Sequence, residues 1–192
     1  MRIVGGRFGG RTLSAPKSQA IRPTADRLRE SLFNILTHSH GDPVAGARVL
    51  DLFAGTGALG LESLSRGAAF VLFVDDGAEA RALLRANVDA LGLGGATKVY
   101  RRDATRLGPV EKLAPFTLVF LDPPYGKGLA EQALASARDG GWIAPDALIV
   151  VEESADAGFA PPAGFEEIER RDYGDTQLIF LKLRPEPSLI PR

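Results

Sequence analysis

Two short stretches carry residue types and spacings suited to chemistry on a flat amine. Residues 51–60 read DLFAGTGALG, a strand-like run entering a glycine-rich turn and then a helical segment. Small residues let a ligand approach the backbone, and a helix start offers unpaired N–H groups. Gly55, Gly57 and Gly60 have the spacing of a dinucleotide fingerprint. Asp51 stands four residues before the first of them, and a carboxylate there would repel a pyrophosphate and favour a cation. S-adenosylmethionine is such a cation, with an ammonium group, a positive sulfonium and no phosphate. The expected contacts are Asp51, Phe53, Gly55, Thr56 and Gly57, then Asp75 for a ribose diol, and Asp103 with Ala104 for an adenine amine. Each acid alone also reads as a surface or capping residue, but three at successive strand ends point to a site. Asp76 should point elsewhere by strand alternation.

The second stretch is Asp122, Pro123, Pro124 and Tyr125, directly after a strand-like run. Two prolines remove two donors and fix the backbone, giving a stiff turn that displays carbonyls. The lone pair of an exocyclic amine is delocalised into its ring. Accepting its two N–H bonds, one at the Asp122 carboxylate and one at the Pro123 carbonyl, favours a more tetrahedral nitrogen and stabilises charge that develops during methyl transfer. Tyr125 would stack on the base.

These residues need a parallel sheet to hold them. Short apolar runs alternate with helical segments, the pattern of βαβ units. Strands are predicted at residues 48–52, 70–75, 98–101, 117–121 and 147–152, with helices at 58–66, 78–91 and 129–138. A further helix is expected from Thr24 to Thr37. Residues 166–171 and 177–183 are joined too tightly for a crossover helix and should pair antiparallel. Residues 1–22 read as a basic arm or small hairpin, 23–184 as the main domain, and 185–192, with three prolines, as a tail.

The 192 residues are 45% hydrophobic and 24% charged, a globular composition able to bury a core unaided. With no cysteine, disulfides, thiol catalysis and Cys-ligated metal are excluded. His38 and His40 lack partners for a metal site, so no metal is expected. No apolar run reaches the length of a membrane span and no signal peptide is visible, so a cytoplasmic protein is expected. Net charge is −1, but residues 1–29 hold seven Arg or Lys against one acid. Such an arm suits a polyanionic partner or is simply a solvated segment. Arg7, Arg11, Lys17 and Arg22 are its candidate phosphate contacts, and Arg101, Arg102 and Arg106 form a second basic group or a solvated turn. Trp142 is expected to pack on the fifth strand, and Glu152 and Glu153 to face water or cap a loop.

Several segments carry a family resemblance. DPPY at 122–125 with DLFAGTG at 51–57 resembles the class I amino-methyltransferases. More narrowly, MRIVGG at 1–6, RPTADRLRESLFN at 22–34, GALGLE at 57–62, SRGA at 65–68 and YGDT at 173–176 resemble the RsmD family, from residue 1 to about 183. The resemblance implies a Rossmann-like α/β fold, a seven-stranded mostly parallel sheet with a reversed last strand. It implies methylation of guanine N2 in small-subunit (16S) ribosomal RNA, in a ribosomal particle more than in free RNA. It also implies an S-adenosylmethionine site built from Asp51, Gly55, Gly57, Asp75 and Asp103. The family usually has Glu where Asp75 stands, which implies a looser or water-bridged ribose contact. The residues themselves leave open an adenine-N6 methyltransferase, with protein glutamine as a weaker substrate. They also leave open an NAD-dependent oxidoreductase and a noncatalytic RNA-binding protein.

Overall fold

The computed structural model describes residues 1–17 and 23–187. Its strands are β1 (Arg48–Leu52), β2 (Phe70–Val74), β3 (Thr97–Tyr100), β4 (Phe116–Leu121), β5 (Ile143–Ser154), β6 (Phe165–Tyr173) and β7 (Thr176–Leu183). The helices are α1 (Pro23–Ser39), α2 (Ala58–Ser65), α3 (Ala78–Ala90) and α4 (Leu129–Asp139). The strands form one sheet in the order β3-β2-β1-β4-β5-β7-β6. All neighbours pair parallel except those of β7, which enters between β5 and β6 and runs opposite to both.

Strand alternation divides the core between two faces. Val49, Phe73, Phe120 and Phe180 pack under Leu36 of α1, Leu61 of α2 and Leu84 of α3. Leu50, Leu72, Val119 and Ile179 face the other way, onto Ala130 and Leu134 of α4. Trp142 is fully buried, but it stacks on Phe116 of β4, with centroids 6.3 Å apart, and donates from Nε1 to the Gly108 carbonyl at 2.7 Å.

The order reverses between β1 and β4, which opens a crevice at their carboxyl ends. Leu52 is paired with Val74 on one side and Leu121 on the other, and Leu121 with Val151. The next residue on each strand therefore falls in one row across the sheet: Asp75, Phe53, Asp122 and Glu152.

In the expected N-terminal hairpin no regular strand forms: Arg2 bridges Thr12 antiparallel, the Ile3 N–H donates to the Arg11 carbonyl and the Leu13 N–H to the Met1 carbonyl, both at 2.9 Å, around a 3-10 turn at Gly6–Phe8. Gly5, Gly6, Gly9 and Gly10 occupy the connection and keep the paired stretches short. Nor does the segment stand apart from the body. Ile3 and Leu13 are buried in the core, and the wholly buried Glu62 of α2 accepts the N–H groups of Val4 and Gly5, both at 2.9 Å. Glu62 also pairs with Arg66 at 2.9 Å and with Arg29 of α1 at 3.5 Å. Among the described residues no helix is long and apolar enough to cross a membrane.

Candidate active site

Three adjoining cavities lie along the row of strand ends. The first, about 400 Å³, is walled by the glycine turn, α1 and the start of α3, and includes Asp51, Gly55, Thr56, Glu79, Asp122 and Glu152. The second, about 390 Å³, is lined by Met1, Ala25, Asp122, Pro123, Pro124, Tyr125 and Glu152. The third, about 230 Å³, has Phe53, Val74, Ala104, Pro124 and Leu129 as apolar walls, with Asp75 and Asp103 among its polar groups. Phe53 joins the first to the third, while Asp122 and Glu152 join the first to the second.

The glycine turn is held from several sides. Asp51, buried at the end of β1, accepts the Gly60 N–H at 3.0 Å and fastens the first turn of α2. Loss of hydration pushes its carboxyl up from 3.8 to about 8, against the lowering effect of the Gly60 bond and with a further push from Asp75. Phe53 adopts φ 58°, a left-handed conformation that costs a residue with a side chain about 1–3 kcal/mol. Asp75 accepts the Gly55 N–H at 2.9 Å through Oδ2 and the Gly77 N–H at 2.8 Å through Oδ1. Asn87 of α3 donates to the carbonyls of Thr56, at 3.0 Å, and Ser14, at 3.1 Å, and accepts the Ser14 N–H at 2.7 Å.

Other expected contacts divide. Gly57 does not line the first cavity, because its φ of 81° turns it toward Leu84, and it serves packing. Asp103 lines the third cavity, but its Oδ1 already accepts both the N–H and the hydroxyl of Thr105. Those two bonds hold its carboxyl below the usual range.

The proline turn is clamped by β5. Tyr125 donates its hydroxyl to Oε1 of Glu152, and Glu153 accepts the Gly126 N–H at 3.0 Å. Glu153 thus caps this loop, one of the two expected alternatives, but from a buried position, and Glu152 is corrected from a solvated acid to a lining residue of the site. Tyr125 keeps 42% of its surface exposed, which leaves its ring free to stack. Asp122 is solvent-exposed at the cavity wall, yet enough protein surrounds its carboxyl to strip hydration from the charged form. That loss, followed by the charges of Glu152, Asp51 and Glu153, raises it well above the ordinary range. Loss of hydration likewise raises Glu152, against hydrogen bonds to Tyr125 and Asp122 that lower it.

The basic candidates are dispersed. Arg7 and Lys17 are exposed, Arg7 lying over the Phe8 ring at 4.7 Å. Arg11 donates to the Ala90 carbonyl at 3.0 Å, closing the end of α3. Arg22 lies outside the described residues. Arg102 is structural, set over the rings of Tyr100 and Trp142 and donating to the Leu107 carbonyl at 2.8 Å. Among the described residues no group of His, Asp or Glu could hold a metal ion.

The donor set bears on which group fits. Asp51, Glu79, Asp122 and Glu152 line the first cavity. Its basic lining residue, Arg29, pairs with Asp26 at 2.9 Å and with Glu62. Such a lining suits an ammonium and a sulfonium and opposes a pyrophosphate. At Gly55, φ 57°, a Cβ would meet no atom within 4 Å, so the turn leaves open space beside the cavity. The third cavity, with apolar walls and with Asp75, Asp76, Asp103 and Arg102 in its lining, suits a nucleoside; Asp76, expected to point elsewhere, thus lines it beside Asp75. The residues thus fit S-adenosylmethionine.

Comparison with known proteins places this chain in a family. The model of the family described as Conserved hypothetical protein 95 matches residues 1–182. Ribosomal RNA small subunit methyltransferase D of Escherichia coli K12 is 42% identical over 159 residues, covering 82% of this chain and 77% of that protein. The protein of the same name from Haemophilus influenzae is 33% identical over 177 residues, covering 91% and 89%. The solved structure of yhhF from Escherichia coli superposes with a TM-score of 0.80 at 33% identity, covering 97% of this chain and 99% of that one.

Proposed function

The chain belongs to the Conserved hypothetical protein 95, or RsmD, family of methyltransferases, and from that premise we propose that it methylates the exocyclic N2 amine of a guanine in small-subunit (16S) ribosomal RNA. The observation that carries the reading is that Asp122 lines both the acid-walled cavity and the cavity beside the proline turn. One carboxylate thus borders the space for a cationic donor and the space for a base.

S-adenosylmethionine, when bound, supplies a methyl group on a positively charged sulfur. Asp51 would hold its ammonium, Phe53, Gly55 and Thr56 would border it, and Asp75, Asp103 and Ala104 would receive the nucleoside. Asp122 and the Pro123 carbonyl accept the two N–H bonds of the amine, which sharpens its lone pair and orients it for attack. Pro124 keeps the turn stiff, and Tyr125 holds the ring by stacking. The proton lost from the methylated nitrogen passes to Asp122 or to water, and no covalent enzyme intermediate is needed. Arg7, Arg11, Lys17 and Arg22 would contact phosphates, orienting the RNA without reading it. A small-subunit particle is the expected substrate and the cytoplasm the expected location.

The test is incubation with isotopically labelled S-adenosylmethionine and unmodified small subunits, followed by nucleoside mass spectrometry. N2-methylguanine is the expected product. N6-methyladenine would replace the guanine reading with its rival. Calorimetric binding of NAD, with none for S-adenosylhomocysteine, would favour the oxidoreductase instead, and RNA binding without either cofactor would leave a binding protein.

A further inference from the structure

Two carboxylates line the cavity beside the proline turn, Asp122 from the end of β4 and Glu152 from the end of the adjacent β5. The pairing of Leu121 with Val151 sets them side by side in the row of strand ends. The proposed methyl transfer uses Asp122 and leaves Glu152 without a task. The Tyr125 hydroxyl anchors Glu152 through Oε1, and Oε2 receives no amide, amine or hydroxyl donor from the described residues.

Two acceptors side by side match two donors side by side. The Watson–Crick edge of guanine offers that pattern, an N1–H next to the N2 amine. Adenine sets its N6 amine beside N1, a lone pair that would face a carboxylate with no hydrogen between them. We propose that Glu152 is the specificity-determining residue of this site, its carboxylate accepting the guanine N1–H while Asp122 accepts from the N2 amine. This inference rests on the guanine reading of the site and deepens it. Loss of hydration and mutual repulsion oppose charging both acids at once, and two N–H donors from a base relieve both. A base stacked on Tyr125 shields both carboxylates from water, so a lone pair facing Glu152 would leave that acceptor unpaired, and the arrangement discriminates where stacking alone does not.

The test uses 2-aminopurine, which keeps the 2-amine but carries a lone pair at N1. The modified guanine is mapped by mass spectrometry, and small-subunit RNA is then assembled with guanine or 2-aminopurine at that position. The wild-type enzyme should favour guanine in kcat/KM by about 100-fold, on the order of one well-formed base-edge contact. Glu152→Gln introduces an amide that can donate to N1, and should narrow the ratio about tenfold or more. Because each ratio is taken within one protein, a smaller folded fraction does not move it. Comparing variant with wild type also removes the contribution of the O6 that 2-aminopurine lacks. If Glu152 only positions Tyr125, both substrates slow together, the ratio stays at its wild-type value and the proposal is overturned. N2-methylguanine from the wild type with an unchanged ratio sinks this inference alone. N6-methyladenine as the wild-type product sinks the guanine reading along with it.

Discussion

Oδ2 of Asp75 accepts the N–H of Gly55 at 2.9 Å, so the carboxylate that ends β2 also braces the turn after β1. The residue expected to meet a ribose is therefore part of what shapes the neighbouring wall. Each carboxylate oxygen has a second lone pair, so bracing the turn leaves capacity to accept from a ligand.

The glycines of the turn should separate in their effects. A Cβ on Gly60 would stand 2.3 Å from Phe73 and 2.7 Å from Val71, both buried. Gly60→Ala should cost about 1–3 kcal/mol by overpacking. Gly55→Ala meets no protein atom and bears only left-handed backbone strain of about 1–2 kcal/mol, but its methyl enters the ligand space. Thermal unfolding with and without S-adenosylhomocysteine tests this. Gly55→Ala should lose most of the ligand-induced rise in Tm, whereas Gly60→Ala should lower the Tm of the free protein.

Asp51 makes ligand binding depend on pH. With its carboxyl raised to about 8, the free protein holds it largely protonated at pH 7, and a cationic ligand must expel that proton. The affinity for S-adenosylhomocysteine, whose ammonium remains, should rise as pH increases from 6 toward 8, with close to one proton released per ligand at the lower end. The free protein behaves oppositely. The unfolded chain ionises Asp51 near 3.8, so the stability linked to this group is full below that value and is lost as pH rises through about 8. Asp51→Asn should flatten both trends in calorimetry performed in buffers of different ionisation heat.

Asp122→Ala should lower kcat about 100- to 1000-fold, the usual effect of deleting one preorganised partner of a developing charge. Affinity for S-adenosylhomocysteine should change only a few-fold by calorimetry, because the remaining carboxylates of the first cavity stay in place. Full turnover in this variant would reject the assigned role.

Glu62→Ala leaves the N–H groups of Val4 and Gly5 unpaired, takes from Arg66 its acid, and leaves Arg29 with Asp26 alone. The expected loss is about 3–5 kcal/mol, the scale for breaking a buried ion pair by removing one partner. Urea unfolding should show it, and limited proteolysis should cut residues 1–17 early in this variant and late in the wild type.

The sheet, the glycine turn and the proline turn were legible because their signals are local. Apolar runs of strand length mark β1 to β4, and glycine or proline marks the turns at the ends of β1 and β4. Strand β5 begins at Ile143, earlier than the predicted residue 147, because Pro145 and Asp146 read as a break. Both are exposed, and the register shift between Phe116 and Leu118 accommodates them. Glu152 and Glu153 looked like solvated strand-end acids, since only the register of β5 against β4 brings them beside Tyr125 and Gly126. The signal available in the sequence was that they end a strand adjacent to the one carrying Asp122. Glu62 was equally hidden. Apart from Arg66 one turn later, a pair equally common on solvated helices, its partners lie 33 and 57–58 residues earlier, and nothing local distinguishes a buried acid on a helix from a solvated one.

Asn87 reaches Ser14 and Thr56 from α3 with one amide. Pro16 and Thr56 border the first cavity. A side chain that is no part of the cavity lining thus acts as a splint across its back, and the width available to a ligand is inherited from how α3 seats on the sheet.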